Sequence, residues 1–550
     1  MTSSSPETLP AIVDRMAQSD PDRVFVRTVG GDSATWRQLQ SLMHTWAARF
    51  LALEVKPGDV VVTILDAGID SLAVWLGLTG IGAIDAATNP EFRGRMLAYA
   101  INNCAPDLLV VAPHYVSVVE TVADQLQTVK QVLVLDGDGY DAAAGSVLPG
   151  ITRPGEVTTD VTAVRDHIRV PEFHDIACIT YTSGTTGPSK AVKLPWGQLH
   201  SINTGTFPIE DLSPSDVFYC TTSHAHFGSK SIPYNAAMVG AEVVMRPRFA
   251  LVSFWEDIVK FGVTTAMLVG SMADLLLRDP AGPPGPTSLK NMFMAPLGAS
   301  YQQFSERFGV RICTAYNSTE GGVAIRSGWN PANSKTVGRL RDGYPGFEVR
   351  LVDANDYEVP DGTAGECIVR SSVPWVMNAG YLNNDEATAK AWRNGWFHTG
   401  DALVRTPEGD YIFVDRLKDA IRRRGENISS FEVEADVLRH PDIVECAAVA
   451  VPAETVEDEI LLFAVRRHGS TISPQDLHED LSSRMARFMV PRYIEFVDEL
   501  PRTQATLRVI KAELRQRGIG PRTWDAKAAT SGMPVAADAS EQLIDGGARS

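Results

Sequence analysis

The 550-residue sequence lacks several features that would place it at once in a familiar class. Its six cysteines include no Cys-x-x-Cys pair, so neither a disulfide framework nor a zinc ribbon is predicted. Basic residues are fewer than acidic ones, 50 against 67, and the net charge of −17 argues against nucleic-acid binding. The longest apolar stretch, residues 72–83, is shorter than the roughly 20 residues of a membrane-spanning helix. Since the first residues also lack a signal-peptide pattern, we expect a cytoplasmic protein.

What the sequence does contain is an alternation of short apolar runs and longer amphipathic segments. With 44% hydrophobic and 21% charged residues, a chain of this length predicts a globular protein of two or three domains. The alternation over residues 20–135 is typical of βαβ units with a parallel sheet, and it returns at residues 243–296. Strand-like runs separated by turns at residues 349–414 predict a small β subdomain. We therefore expect an α/β fold whose large N-terminal domain holds two wound sheets.

A change of pattern near Arg416 predicts a domain boundary. Residues 1–415 form the predicted N-terminal domain. Residues 416–520 have their own strand and helix pattern, which predicts a small α+β C-terminal domain. Periodicity is lost over residues 521–550, which predicts a disordered tail.

Residues 181–190, Tyr-Thr-Ser-Gly-Thr-Thr-Gly-Pro-Ser-Lys, combine hydroxyls and glycines with one lysine. Glycine lets the backbone approach a ligand closely, hydroxyls and N–H groups bind anions, and lysine adds a mobile positive charge. This composition indicates a phosphate-binding segment. Its spacing differs from the P-loop pattern Gly-x-x-x-x-Gly-Lys-Ser/Thr, and an ordinary surface loop is the alternative interpretation.

Four further motifs follow in order, at residues 316–320, 399–401, 415–427 and 500–514. Together with residues 181–190 they resemble the adenylate-forming superfamily, which includes acyl-CoA synthetases, the adenylation domains of peptide synthetases, and luciferases. The resemblance extends from about residue 35 to residue 515. In sequence, residues 307–311 and 424–434 most resemble acyl-CoA synthetases of the crotonobetaine/carnitine-CoA ligase type.

The resemblance implies two half-reactions. A carboxylate would attack the α-phosphate of ATP with Mg²⁺, giving acyl-AMP and pyrophosphate, and a mobile C-terminal domain would then rotate so that the thiol of CoA attacks the acyl-adenylate. The implied ligands are ATP, Mg²⁺, CoA, and a small-molecule carboxylic acid or its acyl-adenylate.

The resemblance also implies roles for individual residues that contact the nucleotide. Tyr316 would stack on adenine, with a core aromatic as the alternative, and Thr319 would bind the α-phosphate. Asp401 would accept the ribose hydroxyls, and Arg416 would contact the ribose or the phosphate. The implied nucleotide-binding set is Thr182, Ser183, Gly184, Thr185, Thr186, Gly187, Lys190, Gly298, Ala299, Tyr316, Asn317, Ser318, Thr319, Asp401 and Arg416.

Other implied roles concern the acid, the metal and CoA. His224 would lie beside the carboxylate of the acid as a gating residue, with His226 as the alternative. Glu320 would hold Mg²⁺, because a carboxylate at the end of a buried run is costly unless a cation is nearby. Lys418 lies where the family has its hinge, although it could also be an ordinary solvated lysine. The implied CoA-binding residues are Arg422 and Gly425, with a solvated basic turn as the alternative for Arg422.

The last motif departs from the family pattern Pro-x-Thr-x-x-Gly-Lys, whose lysine acts during adenylation. Residues 501–511 read Pro-Arg-Thr-Gln-Ala-Thr-Leu-Arg-Val-Ile-Lys, without the glycine. With one inserted residue Arg508 takes the lysine position, without it Leu507 does, and Lys511 is the first lysine. A guanidinium is broad and planar whereas an ammonium is compact. We therefore predict that adenylation is weak or lost and that thioester formation from acyl-AMP is retained.

A separate adenylating enzyme would then have to supply the acyl-AMP. The alternative is that Arg508 or Lys511 replaces the missing lysine, which would leave an ordinary two-step acyl-CoA synthetase. Loading of a separate carrier protein, a luciferase-like oxidase and an inactive acyl-AMP binder are further alternatives. The small residues expected around the acyl group predict room for a bulky acid, and they are Gly298, Ala299, Gly321 and Gly322.

Overall fold

A computed structural model describes residues 6–139, 146–182, 190–279, 282–298, 300–417, 421–423, 426–452, 458–485, 489–503 and 509–531. The chain divides into two compact units. The first comprises residues 1–399 with 403–413, and the second comprises residues 400–402 with 414–550. No helix in the described ranges combines the length and the apolar character needed to cross a membrane.

The first unit contains a seven-stranded sheet that is parallel except at one edge. Its strands are short runs of Val, Leu and Ile, and all four residues of Leu108–Val111 are buried, as expected for a sheet covered on both faces. In spatial order the strands are Ile151–Thr152, Gln131–Val134, Leu108–Val111, Val60–Ile64, Ile84–Ala87, Ile176–Thr182 and Lys190–Pro195. The α-helices from this part of the chain are Leu9–Ser19, Trp36–Ala52, Ile69–Gly80, Gly94–Cys104, Val116–Glu120 and Trp196–Thr206.

A second seven-stranded sheet of the same unit is also mainly parallel. Its strands in spatial order are Arg311–Cys313, Asn291–Met294, Thr265–Leu268, Val217–Cys220, Glu242–Met245, Val24–Thr28 and Ser33–Thr35. Its helices are Gly228–Met238, Leu251–Phe261, Gly270–Arg278 and Tyr301–Phe308. The two wound sheets predicted from the apolar runs are thus confirmed. One detail differs, because Val24–Thr28 pairs with Glu242–Met245 and Ser33–Thr35 in this sheet, whereas the strands of residues 60–135 belong to the first sheet.

A third sheet of short strands follows in the chain. Its register is set by alternating buried and exposed residues, as in Phe347–Val352, which pairs antiparallel with Gly365–Ser371. The strands in spatial order are Ala315–Ser318, Gly322–Arg326, Thr336–Leu340, Tyr411–Arg416, Phe397–Arg405, Gly365–Ser371 and Phe347–Val352, and the helix Asp385–Ala391 lies between two of them in sequence. This sheet contains the β subdomain predicted at residues 349–414, but it begins earlier in the chain, at Ala315–Ser318.

The second unit has a four-stranded sheet and a small hairpin. Its sheet strands in spatial order are Ile443–Pro452, Asp458–Arg466, Tyr493–Phe496 and Trp524–Asp525, and the hairpin pairs Ile421–Arg423 with Glu426–Ile428. The helices are Ser430–Val437, Pro474–Arg484, Lys511–Arg517 and Ala526–Ser531. This is the expected α+β arrangement.

Part of the predicted tail is ordered in the second unit. Trp524 pairs with Ile494 at the sheet edge, and Arg492 Nη2 lies 3.0 Å from Asp525 Oδ2. These contacts extend the folded part of the chain to residue 531, and residues 532–550 lie outside the described residues.

Candidate active site

The predicted phosphate-binding segment joins two neighbouring antiparallel strands of the first sheet. Thr182 and Lys190 face each other across the pair. Tyr181 anchors the incoming strand, since its hydroxyl donates to the carbonyl of Ala100 at 2.7 Å. Five predicted residues, Ser183, Gly184, Thr185, Thr186 and Gly187, lie outside the described residues.

Lys190 and Glu320 are brought together by a residue that the sequence did not single out. The Lys190 ammonium lies 4.8 Å from the ring centroid of Tyr381, and the Tyr381 hydroxyl donates to Glu320 Oε1 at 3.4 Å. Lys190 is exposed, whereas Tyr381 is buried. Burial and the Glu320 carboxylate raise the pKa of Tyr381, so its hydroxyl stays protonated. Only the Gly380-Tyr381 pair before a helix could have drawn attention to this residue.

The turn that carries Thr319 and Glu320 is held through its backbone. Gln198 donates to the carbonyls of Thr319 and Glu320 at 2.9 and 3.1 Å, and Asn378 donates to that of Glu320 at 2.8 Å. The side chains are therefore presented from a fixed turn. A single carboxylate is enough for Mg²⁺ when phosphate oxygens and water complete the shell, so Glu320 fits the implied metal.

The other residues predicted to bind the nucleotide differ in their burial and contacts. Tyr316 is 6% exposed and belongs to the apolar cluster of the third sheet, while Asn317 is exposed and the Ser318 hydroxyl accepts from the Gly321 amide. A β-carbon on Gly298 would lie 3.4 Å from Asp274, and Ala299 is outside the described residues. The adenine role of Tyr316 stays a prediction, and its burial also suits a core aromatic.

In the second unit, Arg416 Nε lies 3.3 Å from Asp401 Oδ1. The Asp401 side chain is 7% exposed, so the arginine offsets a largely buried negative charge. Both predicted ribose contacts therefore lie side by side. Lys418 and Gly425 lie outside the described residues, as does the side chain of Arg422.

Lys511 occupies a buried polar network in the second unit. Its ammonium is 2.8 Å from Glu434 Oε1 and donates to the Ser430 hydroxyl, which in turn donates to Asp415 Oδ2. Glu434 also accepts from the Ala448 amide at 2.8 Å. Burial raises the pKa of Glu434, and the Lys511 charge opposes that rise. Lys511 is thus engaged in holding one helix to another, while Leu507 and Arg508 lie outside the described residues.

His224 is buried in the first unit and is not free to turn. Its Nε2 lies 3.0 Å from the Thr63 hydroxyl oxygen, and burial, with help from Lys230, lowers the pKa of His224 to about 3. His226 has a local role, because its Nδ1 accepts from the Gly228 amide at 3.1 Å. Burial lowers the pKa of His226 to about 4. The structure therefore distinguishes the two candidates, with His224 in a polar network and His226 closing its own loop.

Comparisons with known proteins agree with this architecture. The model of the AMP-binding enzyme family matches residues 13–382, and that of the AMP-binding enzyme C-terminal domain matches residues 432–506. The chain is 28% identical over 491 residues to the crotonobetaine/carnitine–CoA ligase of Proteus mirabilis, covering 88% of this chain and 93% of the relative. The Salmonella typhimurium ligase of the same name is 27% identical over 489 residues, again covering 88% of this chain and 93% of the relative.

Solved structures share the fold. The anthranilate CoA ligase AuaEII in complex with anthranoyl-AMP superposes with a TM-score of 0.78 at 21% identity, covering 95% of this chain and 98% of the other. ATP-bound MatB from Rhodopseudomonas palustris gives 0.76 at 23% identity, covering 93% and 99%.

Proposed function

Because the chain belongs to the AMP-binding enzyme family, we propose that it is an acyl-CoA ligase that transfers an acyl group from acyl-AMP to CoA and has little or no activity in making that adenylate. The proposal has two parts. The ligase part rests on the family and on the CoA ligases to which most of this chain is similar. The loss of adenylation rests on the second unit.

The observation that carries the second part is the position of Lys511. Among the residues that the structure describes, it is the first lysine after the Pro501-Arg502-Thr503 run, and its ammonium is held by Glu434 and Ser430. Its side chain is only 15% exposed. Moving it to a phosphate would leave the buried Glu434 without a cation, which costs about 3–5 kcal/mol for a buried pair. Lys511 is therefore a poor substitute for the missing lysine.

Arg508 is the other candidate, and its chemistry argues against it. A guanidinium spreads its charge over a broad planar fork, whereas the ammonium of the family's lysine is compact, so Arg508 does not reproduce the geometry of that lysine. Losing one correctly placed group of this kind typically lowers a rate by about 10²–10³. Asp401, the implied ribose contact, and Gly425, the implied CoA contact, are both present, as the thioester-forming half-reaction requires. The presence of Lys190 and Glu320 as well argues against wholesale decay of the site.

The retained reaction needs no new cation at phosphorus. The thiol sulfur forms a bond to the acyl carbon, the carbon–oxygen bond to the phosphate breaks, and AMP leaves with that electron pair. A separate adenylating enzyme would supply the acyl-AMP. The small residues named for the acyl pocket suggest a bulky acid as its source.

An ordinary two-step acyl-CoA synthetase is the second candidate function. It is favoured by the coverage of the curated relatives, which include both domains of this chain. In that case Arg508 carries the adenylation step. In either function, a carrier protein could take the place of CoA as the acceptor of the acyl group.

The deciding experiment supplies the full-length protein with synthetic acyl-adenylates of linear and bulky acids, plus CoA. Parallel reactions contain the parent acids with MgATP and CoA, and ATP–pyrophosphate exchange is measured for each acid. We expect thioester from the adenylates and exchange about 10²–10³-fold below that of a working ligase. Equal rates from acid plus MgATP would establish the two-step synthetase. A holo carrier protein offered beside CoA identifies the acceptor.

A further inference from the structure

Three buried polar side chains, Asp85, Lys230 and Thr63, form a group around His224 in the first unit. Asp85, fully buried on Ile84–Ala87, has its Oδ2 2.8 Å from Lys230 Nζ. Its Oδ1 accepts from the Thr63 hydroxyl at 2.6 Å. The Lys230 ammonium also lies 5.3 Å from the ring centroid of Trp75. An ion pair buried this deeply is often no more stabilising than apolar residues of equal size, so its presence calls for a reason other than stability.

The hydrogen-bond directions in this group fix the protonation of the histidine ring. Burial opposes the charge on Asp85, but the Lys230 ammonium and the Thr63 hydroxyl favour it and the pKa of Asp85 is lowered, so the carboxylate only accepts. The single Thr63 proton therefore points to Asp85. Toward His224 Nε2, at 3.0 Å, the Thr63 oxygen accepts, and Nε2 must carry a hydrogen.

The ring is neutral as well as oriented. Burial, followed by the nearby Lys230 charge, lowers the pKa of His224 to about 3, so at neutral pH it holds one ring proton. With that proton on Nε2, Nδ1 is a bare acceptor. No described residue donates a hydrogen bond to Nδ1. The Ser229 hydroxyl holds the loop from the other side by donating to the His224 carbonyl at 2.9 Å.

We propose that Asp85, Lys230 and Thr63 are positioning residues that hold His224 as the Nε2–H tautomer, so that Nδ1 accepts the S–H hydrogen of CoA. The inference rests on the proposed function and on the implied position of His224 beside the carboxyl group of the acid, which becomes the acyl carbon of acyl-AMP. Around that carbon, the carbonyl oxygen and the phosphate oxygens are acceptors, and the thiol is the donor. An acceptor nitrogen can form a hydrogen bond with the thiol, but not with the carbonyl oxygen or the phosphate oxygens.

The proton has a complete route in this scheme. As sulfur bonds to the acyl carbon, the S–H hydrogen becomes strongly acidic, and even a weakly basic Nδ1 accepts it. The carbon–oxygen bond then breaks, AMP leaves with the electron pair, and the imidazolium returns its proton to the AMP phosphate or to water. The Asp85 charge faces the ring through Thr63 and offsets part of the opposing effect of the Lys230 charge on this brief imidazolium.

The first test reads the tautomer directly. Full-length protein labelled with ¹⁵N in histidine is examined by long-range proton–nitrogen NMR at pH 7, and the His224→Gln variant identifies the His224 signals. We expect a protonated Nε2 and a bare Nδ1. A proton on Nδ1 would overturn the proposal whatever the activity of the protein.

The second test changes the acceptor of the Nε2 hydrogen. Thr63→Val keeps the shape of the side chain and leaves the Asp85–Lys230 pair in place, and Thr63→Ser keeps the hydroxyl. We expect Thr63→Val to lower kcat for thioester formation from acyl-AMP about 10–10²-fold, with KM for acyl-AMP unchanged, and Thr63→Ser to restore most of it. The matched control is Thr79→Val, another buried threonine whose hydroxyl only caps the Leu76 carbonyl.

The outcomes separate this inference from the proposed function. Wild-type protein that makes no thioester from any adenylate refutes the proposed function and the thiol role together, while the NMR result still decides the tautomer. Thioester formation with equal kcat in Thr63→Val and Thr79→Val refutes the positioning role alone.

Discussion

Lys190 and Lys511 carry the same charge in two regions that the resemblance assigns to the same chemistry, yet their surroundings differ. Lys190 is exposed at a strand end beside the Tyr381 ring, and it makes no ion pair within the described part of the chain. Lys511 is held between Glu434 and Ser430, with Glu434 buried between strand and helix. A lysine that is available to a ligand and one that belongs to a core cannot be told apart by residue type. The comparison shows that position in a motif is a weaker guide than the partners that the fold supplies.

The largest expected effect separates the two lysines by stability. Lys511→Met leaves Glu434 buried without a cation, so we expect the second unit to lose about 3–5 kcal/mol of local unfolding free energy. Lys190→Met removes an exposed charge and should change the stability by less than about 0.5 kcal/mol. Hydrogen exchange followed by mass spectrometry on Ile443–Pro452 and Asp458–Arg466 measures this loss. Lys511→Met should accelerate exchange there about 10²–10⁴-fold.

Acid pH provides an internal check on the Lys511 effect. Burial raises the pKa of Glu434, so the folded unit binds that proton more readily than the unfolded chain does. In Lys511→Met the penalty should therefore shrink as the pH falls and Glu434 becomes neutral. A penalty that stays constant between pH 8 and pH 5, or an equal loss in Lys190→Met, would contradict the proposed difference between the two lysines.

The next effect concerns the rate of adenylation. Leu507→Gly combined with Arg508→Lys restores the Gly-Lys dipeptide while leaving Lys511 in its network. We expect ATP–pyrophosphate exchange to rise about 10²–10³-fold, because a compact cation returns to the position that acts at phosphorus. Arg508→Lys alone tests the charge without the glycine. Thioester formation from acyl-AMP should change little in either variant, and a double variant with no more exchange than wild type would argue that other residues block adenylation.

The sequence was most informative where neighbours in the chain are neighbours in the fold. Runs such as Leu108–Val111 predicted parallel strands because a strand buried on both faces must be apolar throughout. The subdomain of short strands and the α+β unit were predicted for the same reason, from local patterns. The edge strand Trp524–Asp525 was missed because two residues give no periodicity.

The candidate site was less predictable because its partners are distant in sequence. Glu434 and Lys511 are 77 positions apart, and nothing local marks them as a pair. Asp85 stands as a single polar residue in an apolar run, Lys230 lies between two serines, and only the fold brings both to His224. Tyr381 was missed because a tyrosine after glycine has many roles. Burial and pairing, which decide what a charged group does, are properties of the three-dimensional structure.

The smallest expected effect refines the Lys190 side of the comparison. Tyr381→Phe keeps the ring beside Lys190 and removes only the hydroxyl that reaches Glu320 at 3.4 Å, which is a long hydrogen bond. We expect the Kd for MgATP to rise about 3–10-fold, as for the loss of one modest hydrogen bond, because Glu320 would be less well oriented toward Mg²⁺. Isothermal titration calorimetry measures it.

The acyl-adenylate supplies the control for this last change, since it carries neither the β- and γ-phosphates nor the metal. Its Kd should be the same in Tyr381→Phe and in the wild type, whereas Tyr381→Ala, which also removes the ring beside Lys190, should weaken MgATP binding further. Equal weakening of both ligands would mean that Tyr381 shapes the pocket as a whole. Weaker binding of MgATP alone would mean that Lys190 and Glu320 still form a site for the triphosphate and its metal. The protein would then bind MgATP even though its C-terminal segment no longer supports adenylation.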